Sequence, residues 1–166
     1  VTLPGGEIFP SLQSGALDAT EWVGPYNDLA FGLYKAAKYY YTPGWHEPGT
    51  TMECMINEKA FNELPADLQS IVRNAIKVAN ADMLAEYTAR NQQALQSLIN
   101  EHQVELKHFP DEVLKELKNI SEQVVEEEAA KDDLSKKVWA SQKAFKEQVM
   151  QWTAASEQAY LRARSL

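Results

Sequence analysis

The stretch PADLQSIVRNAIKVANADMLAEYTARNQQALQSLINEH, from Pro65 to His102, decides the architecture. Leu68, Ile71, Val72, Ala75, Ile76, Ala79, Met83 and Tyr87 recur at three- and four-residue steps, and Leu95, Leu98 and Ile99 continue the stripe. That spacing lines one face of an α-helix. Proline at the start suits a first helical turn, where its missing N–H would have had no partner. An unbroken helix of this extent is about 57 Å long at about 1.5 Å per residue, whereas a compact chain of this size has a radius of gyration of roughly 15 Å. It should overhang one domain and lean on another.

On its N-terminal side the character changes. The first 60 residues hold all seven glycines and five of the seven prolines, with short apolar runs between turn signals. Short strands alternating with short helices are expected there: strands over Val1–Leu3, Leu17–Trp22, Tyr39–Thr42 and Thr51–Ile56, a helix over Glu7–Gln13, and a helix over Tyr26–Lys38 that begins through Gly24-Pro25. Asn57 is placed to cap a helical turn over Glu58–Leu64, since its side chain can accept orphan amide protons. A chain beginning inside a strand at Val1 is expected to have lost what precedes it.

C-terminal to the long helix, Val104–Leu106 reads as a short strand ended by Pro110, followed by a helix with Val113, Leu114, Leu117, Ile120 and Val124 on one face. The last helix, from about Leu134 onward, carries Val138, Phe145, Trp152 and Ala159 at sevenfold spacing, with Gln142 and Ser156 weakening the companion positions of a coiled-coil seam. Three segments result: 1–64, an α/β part that bears the site; 65–102, the long helix; and 103–166, a helical part. The fold class is α/β and helix-rich.

Composition excludes several functions. Sixteen basic against 24 acidic residues give a net charge of −8, which opposes nucleic acid and anionic membrane surfaces. The single cysteine, Cys54, has no partner for a disulfide or a CxxC site. No run reaches the roughly 20 apolar residues of a membrane span. The acidic run Glu126-Glu127-Glu128 and the pair Asp132-Asp133 read as a solvated helix face, because neighbouring helical residues point about 100° apart and cannot all face one ion.

Two polar-aromatic clusters remain. In the first, Glu21, Trp22 and Asn27 surround the Gly24-Pro25 turn, where an open α/β sheet would place ligands beyond a strand end. In the second, Tyr39–Thr42 leads into Trp45, His46 and Glu47. The carboxylates of Glu21 and Glu47 are hard oxygen donors for Na⁺ or Ca²⁺, and Trp22 supplies a flat apolar wall. Both tryptophans could instead belong to the core and both glutamates to the surface. Glu21 and Glu47 could also pair as a hydrolytic acid and base, but no nucleophile elbow, phosphate loop or HExxH pattern accompanies them. The chain is not expected to be an enzyme.

The stretch from Val1-Thr-Leu-Pro-Gly-Gly-Glu-Ile-Phe-Pro to Asp18-Ala-Thr-Glu-Trp-Val-Gly-Pro25 resembles solute-binding proteins of tripartite ATP-independent periplasmic (TRAP) transporters. Tyr39-Tyr-Tyr-Thr-Pro-Gly-Trp-His-Glu-Pro-Gly49, together with Ile56-Asn57 and Leu64-Pro65-Ala-Asp-Leu-Gln69, is similar to the subgroup that binds 2-oxo acids or lactate with a cation. The resemblance implies a periplasmic two-lobed protein, of which this chain is the C-terminal part. Its lobes, spanned by one long helix, would close on a small organic acid and pass it to TRAP membrane subunits. It further implies Glu21, Trp22 and Glu47 as residues that help hold Na⁺ or Ca²⁺ and the solute, and the two clusters themselves put Trp22, Asn27 and Trp45 forward as solute-binding residues. An arginine that grips the solute carboxylate in relatives would precede residue 1, and His46 stands where relatives often show another aromatic. An isolated fragment is expected to self-associate and to bind solute poorly. The alternative is a helical oligomerisation module without a small-molecule site.

Overall fold

The computed structural model describes residues 1–45, 47–49 and 52–166. These form two compact units, Val1–Phe109 and Pro110–Leu166.

In the first unit, α1 (Gly5–Ser14) buries Ile8 and Leu12, four residues apart and therefore on one helical face. It stops at Gly15, whose φ of 75° is the left-handed conformation that closes helices and that glycine adopts without steric cost. Helix α2 (Pro25–Phe31) begins with proline at its first position, as the Gly24-Pro25 turn implies. Gly32, also at φ 75°, ends it, and a 3-10 turn over Leu33–Lys35 follows. The single helix expected over Tyr26–Lys38 is thus broken, because the left-handed turn swings Leu33 into the core with Ile8 and Leu12.

The strand β1 (Tyr39–Thr42) lies where the sequence places it, and β2 (Glu105–His108) begins one residue later than Val104 and runs two residues further than Leu106. They pair in parallel with Tyr40 opposite Leu106, and backbone bonds from Glu105 N–H to the Lys38 carbonyl (2.9 Å) and from Phe109 N–H to the Thr42 carbonyl (3.0 Å) extend the ladder. Parallel neighbours need a long crossover, and here it holds α3 (Glu58–Asn62) and α4 (Ala66–Asn100). Asn57 caps α3 as expected, its Oδ1 accepting from Ala60 N–H at 3.1 Å. Helix α4 is continuous for 35 residues with no turn near Asn80, and is about 52 Å long at about 1.5 Å per residue. Within its unit it buries only Ala94 and Leu98; Ile71, Val78 and Leu84 are exposed.

Three expected strands are not strands. Among the described residues only β1 and β2 pair, so Val1–Leu3, Leu17–Trp22 and Met52–Ile56 have no ladder to join; Thr51 lies outside the described residues. Hydrophobic packing fixes two of these segments instead: Leu3, Leu17 and Trp22 pack around Ile8, Leu12 and Leu33.

The second unit is a run of helices: α5 (Asp111–Ala129), α6 (Asp133–Ala155) and α7 (Glu157–Arg164). Asp132 caps α6, with Oδ1 accepting from Ser135 N–H at 2.8 Å and Oδ2 from the Ser135 hydroxyl at 2.6 Å, and these bonds hold its carboxyl below the usual aspartate range. The acidic run lies on exposed helix surface: Glu126 pairs with Lys143 across the α5–α6 hairpin at 2.9 Å, and Glu128 pairs with Lys131. The last helix expected from the sequence is interrupted at Ser156, whose backbone leaves the helical region (φ −105°, ψ −95°) while its hydroxyl donates to the Trp152 carbonyl at 2.7 Å. This back-bond bends helices. The sevenfold stripe is therefore cut between Trp152 and Ala159. No helix among the described residues is long and apolar enough to cross a membrane.

Candidate functional site

Every described candidate residue lies in the first unit. Glu21 and Trp22 occupy the segment between Gly15 and α2, Asn27 sits in the first turn of α2, and Trp45 and Glu47 follow β1. His46 lies outside the described residues.

The Trp22 indole is half-buried and stacks on Phe31, with ring centroids 5.1 Å apart and planes 17° apart. A Cβ built on Gly5 would stand 3.0 Å from its Cη2. Glycine at the start of α1 therefore leaves room for the indole edge, and Phe31 takes one of its faces. Glu21, Trp45 and Glu47 are exposed. Asn27 is half-buried, and its Oδ1 is buried with no hydrogen-bond partner among the described residues. A buried amide oxygen without a protein partner is costly unless water, an ion or a ligand meets it.

The polar geometry that organises this region was not among the sequence candidates. Among the described residues, Asp28 is the one charged residue that is buried. Its Oδ1 accepts from Val23 N–H and Gly24 N–H, both at 3.3 Å, and its Oδ2 accepts a short hydrogen bond from the Tyr40 hydroxyl of β1. Burial first, and the Asp28 carboxylate second, push the Tyr40 phenol well above its ordinary range, so it keeps its proton. Asn91 of α4 secures the neighbouring turn, its Oδ1 accepting from Tyr26 N–H at 3.0 Å. Tyr26 also meets Tyr87 edge-to-face at 5.8 Å and lies under Arg90 at 5.5 Å. The long helix thus grips the start of α2 through side chains at 87, 90 and 91.

Asp28 had a readable signal, an acid in the first turn of a helix that begins Gly-Pro. Asn91 had none, because nothing in a polar residue on a helix face says which distant amide it will meet.

A second electrostatic cluster lines the sheet edge. Glu105 receives Lys38 Nζ on Oε1 and Lys107 Nζ on Oε2, each at 2.8 Å. Hydrogen bonds from Lys107 and then Lys38 bring its carboxyl down to about 2. Both ammonium groups lie over the Tyr39 ring, at 6.0 and 5.5 Å. With its acid neutralised by two lysines, this cluster offers a metal ion nothing. Among the described residues no three His, Cys, Asp or Glu side chains form a group that could hold one.

Residues 1–132 match the family of bacterial extracellular solute-binding proteins, family 7. The chain belongs to this family. Among family 7 relatives, a monocarboxylate 2-oxoacid-binding periplasmic protein of Nostoc is 43% identical over 158 residues, which are 95% of this chain and 43% of that protein. A TRAP periplasmic solute-binding protein of Colwellia psychrerythraea, solved with bound calcium and pyruvate, is 40% identical with a TM-score of 0.91 over 98% of this chain and 50% of its own. One from Pseudoalteromonas atlantica, solved with sodium and pyruvate, gives 40% and 0.90 over 98% of this chain and 49% of its own. A Bordetella bronchiseptica protein with calcium and picolinate gives 35% and 0.92 over 99% and 48%. The chain thus spans about half the length of the relatives it matches. The α/β, helix-rich fold is that of part of a TRAP solute-binding protein, and the family is one of solute carriers, not enzymes.

Proposed function

We propose that this chain supplies the C-terminal part of a periplasmic TRAP solute-binding protein that captures a small monocarboxylate, a 2-oxo acid or lactate, together with Na⁺ or Ca²⁺, and presents it to the transporter's membrane subunits. The observation that carries this reading is the close match, over nearly the whole chain, to two structures that hold pyruvate beside a cation. In this reading residues 1–64 bear the site, 65–102 form the helix that spans both lobes, and 103–166 complete the helical framework. Glu21, Trp22 and Glu47 hold the cation, while Trp22, Asn27 and Trp45 line the solute.

The donor chemistry fits. The two carboxylates are the hard oxygen donors these cations take, and the Asn27 side chain can meet a polar solute, but Ca²⁺ wants about six to eight oxygens. The remainder would come from the solute's own oxygens, water and the other part of the protein. Trp22, wedged between Phe31 and the start of α1, is held rigid enough to orient whatever meets its open side.

Calorimetry of the full-length protein with pyruvate and lactate, with and without Na⁺ and Ca²⁺, tests the reading. Pyruvate binding that depends on the cation is expected, with Glu47→Gln weakening it and no product formed on prolonged incubation. An affinity indifferent to both the cation and Glu47→Gln would remove Glu47 from the site. The exposed Phe145 and Trp152 of α6 and Leu84 of α4 support one further proposal, that the isolated chain self-associates. Light scattering coupled to size exclusion should give more than the monomer mass, and a strict monomer would end that proposal.

A further inference from the structure

We propose that Asp28 is a positioning residue of the solute site, one buried carboxylate that fastens the turn carrying Glu21 and Trp22 to the strand that delivers Trp45 and Glu47. The inference rests on the reading of those four residues as the site. The division of labour between the two oxygens is what suggests it: Oδ1 holds the amides of Val23 and Gly24, immediately after Trp22, while Oδ2 holds the Tyr40 hydroxyl on β1. No backbone bond joins these two segments, because the sheet pairs β1 with β2 alone among the described residues.

Its bonds to the Val23 and Gly24 amides are what an acid reaching back over a helix start ordinarily makes, but its bond to Tyr40 goes beyond that task. The apolar core of Ile8, Leu12 and Leu33 forms without it, and the Tyr26 amide at the start of α2 is satisfied by Asn91. A buried charge costs stability unless its geometry serves something else, and a well-packed apolar residue would usually do as well for folding alone. Here three donors converge on it from two segments whose candidate ligands must act together. With its phenol kept protonated, Tyr40 remains a donor across the physiological range.

The test uses the full-length protein with pyruvate titrated calorimetrically at saturating Ca²⁺, well below the melting temperature of each variant. Tyr40→Phe deletes the link to β1 and leaves the Val23 and Gly24 bonds in place; it should weaken pyruvate about tenfold, the scale on which residues that orient metal ligands act. Tyr41→Phe, a hydroxyl deletion on the exposed side of the same strand, should leave binding unchanged. Asp28→Asn should add little in the Tyr40→Phe background, since the two act as one unit, and if Asp28→Asn does not fold, the two tyrosine variants still decide. A Tyr40→Phe protein that melts earlier but binds pyruvate and Ca²⁺ as tightly as the parent would leave Asp28 purely structural and overturn the proposal, with the site reading intact. A parent protein that binds no 2-oxo acid under any cation would overturn both.

Discussion

The units Val1–Phe109 and Pro110–Leu166 use polar groups in opposite ways. In the first, side chains reach across long stretches of sequence, Asn91 to Tyr26 and Lys38 to Glu105, and Asp28 ties a helix to a strand through Tyr40. In the second, nearly every polar contact is local, as in the Asp132 cap on Ser135, with the Lys143–Glu126 bridge across one hairpin as the longest reach. The first also owns the apolar core, whereas among the described residues of the second only Ala129 is buried. Long-range polar contacts fix side chains in one place relative to each other, which a binding site requires. Local ones only decide where helices begin and end.

The contrast can be broken most directly in the core. Leu98 is 2% exposed on α4, and Leu98→Ala should cost about 2–5 kcal/mol in urea unfolding followed by circular dichroism. Phe145→Ala, at a position 67% exposed, should stay within about 0.5 kcal/mol at dilutions where the chain is monomeric. Equal losses would contradict the assignment of stability to the first unit, and a transition that moved with protein concentration would show that association buries Phe145. Gly32→Ala tests a smaller effect, since a left-handed alanine after α2 costs roughly 1–2 kcal/mol; a neutral result would mean the turn can relax without moving Leu33.

The smallest expected effect is electrostatic. Glu105 has its carboxyl lowered in the folded chain, so its contribution to stability is fully present above the ordinary glutamate range and fades as pH falls from there through about 2. Carboxyl-detected NMR titration should place its midpoint near 2, against about 4.3 for an unperturbed glutamate. Salt at about 1 M, where the screening length is only about 3 Å, should raise that midpoint because the pair is exposed. A midpoint in the ordinary range at low salt would show that the Lys38–Glu105–Lys107 cluster does not persist in solution.

Periodicity made the helices legible. The three- and four-residue stripe of Leu68 to Ile99 gives α4 almost to its ends, and the Asn57 cap and the Tyr39–Thr42 strand also stand where the residues put them. The misreadings share one cause: an apolar run such as Leu17–Trp22 shows that a segment will be buried, not whether a neighbouring strand or a helix face will bury it. Breaks at Gly32 and Ser156 were missed because a single residue's backbone conformation leaves little trace in hydrophobic spacing. At the candidate site, residue chemistry singled out Glu21, Trp22, Asn27, Trp45 and Glu47, but not Asp28, whose hydrogen bond to Tyr40 only the fold supplies.

The parallel pairing of β1 with β2 also has a consequence in time. Tyr40 cannot find Leu106 until the chain between them, α4 included, has closed into a loop, and that closure is an entropic cost met before any strand bond forms. Helical turns of α4 and of the α5–α6 hairpin need only neighbours and should form in microseconds or less. High sequence separation between contacting residues slows folding, so the pairing of β1 with β2 should be assembled late. During refolding, the α5–α6 hairpin should then protect its amides from exchange earlier than β1 does.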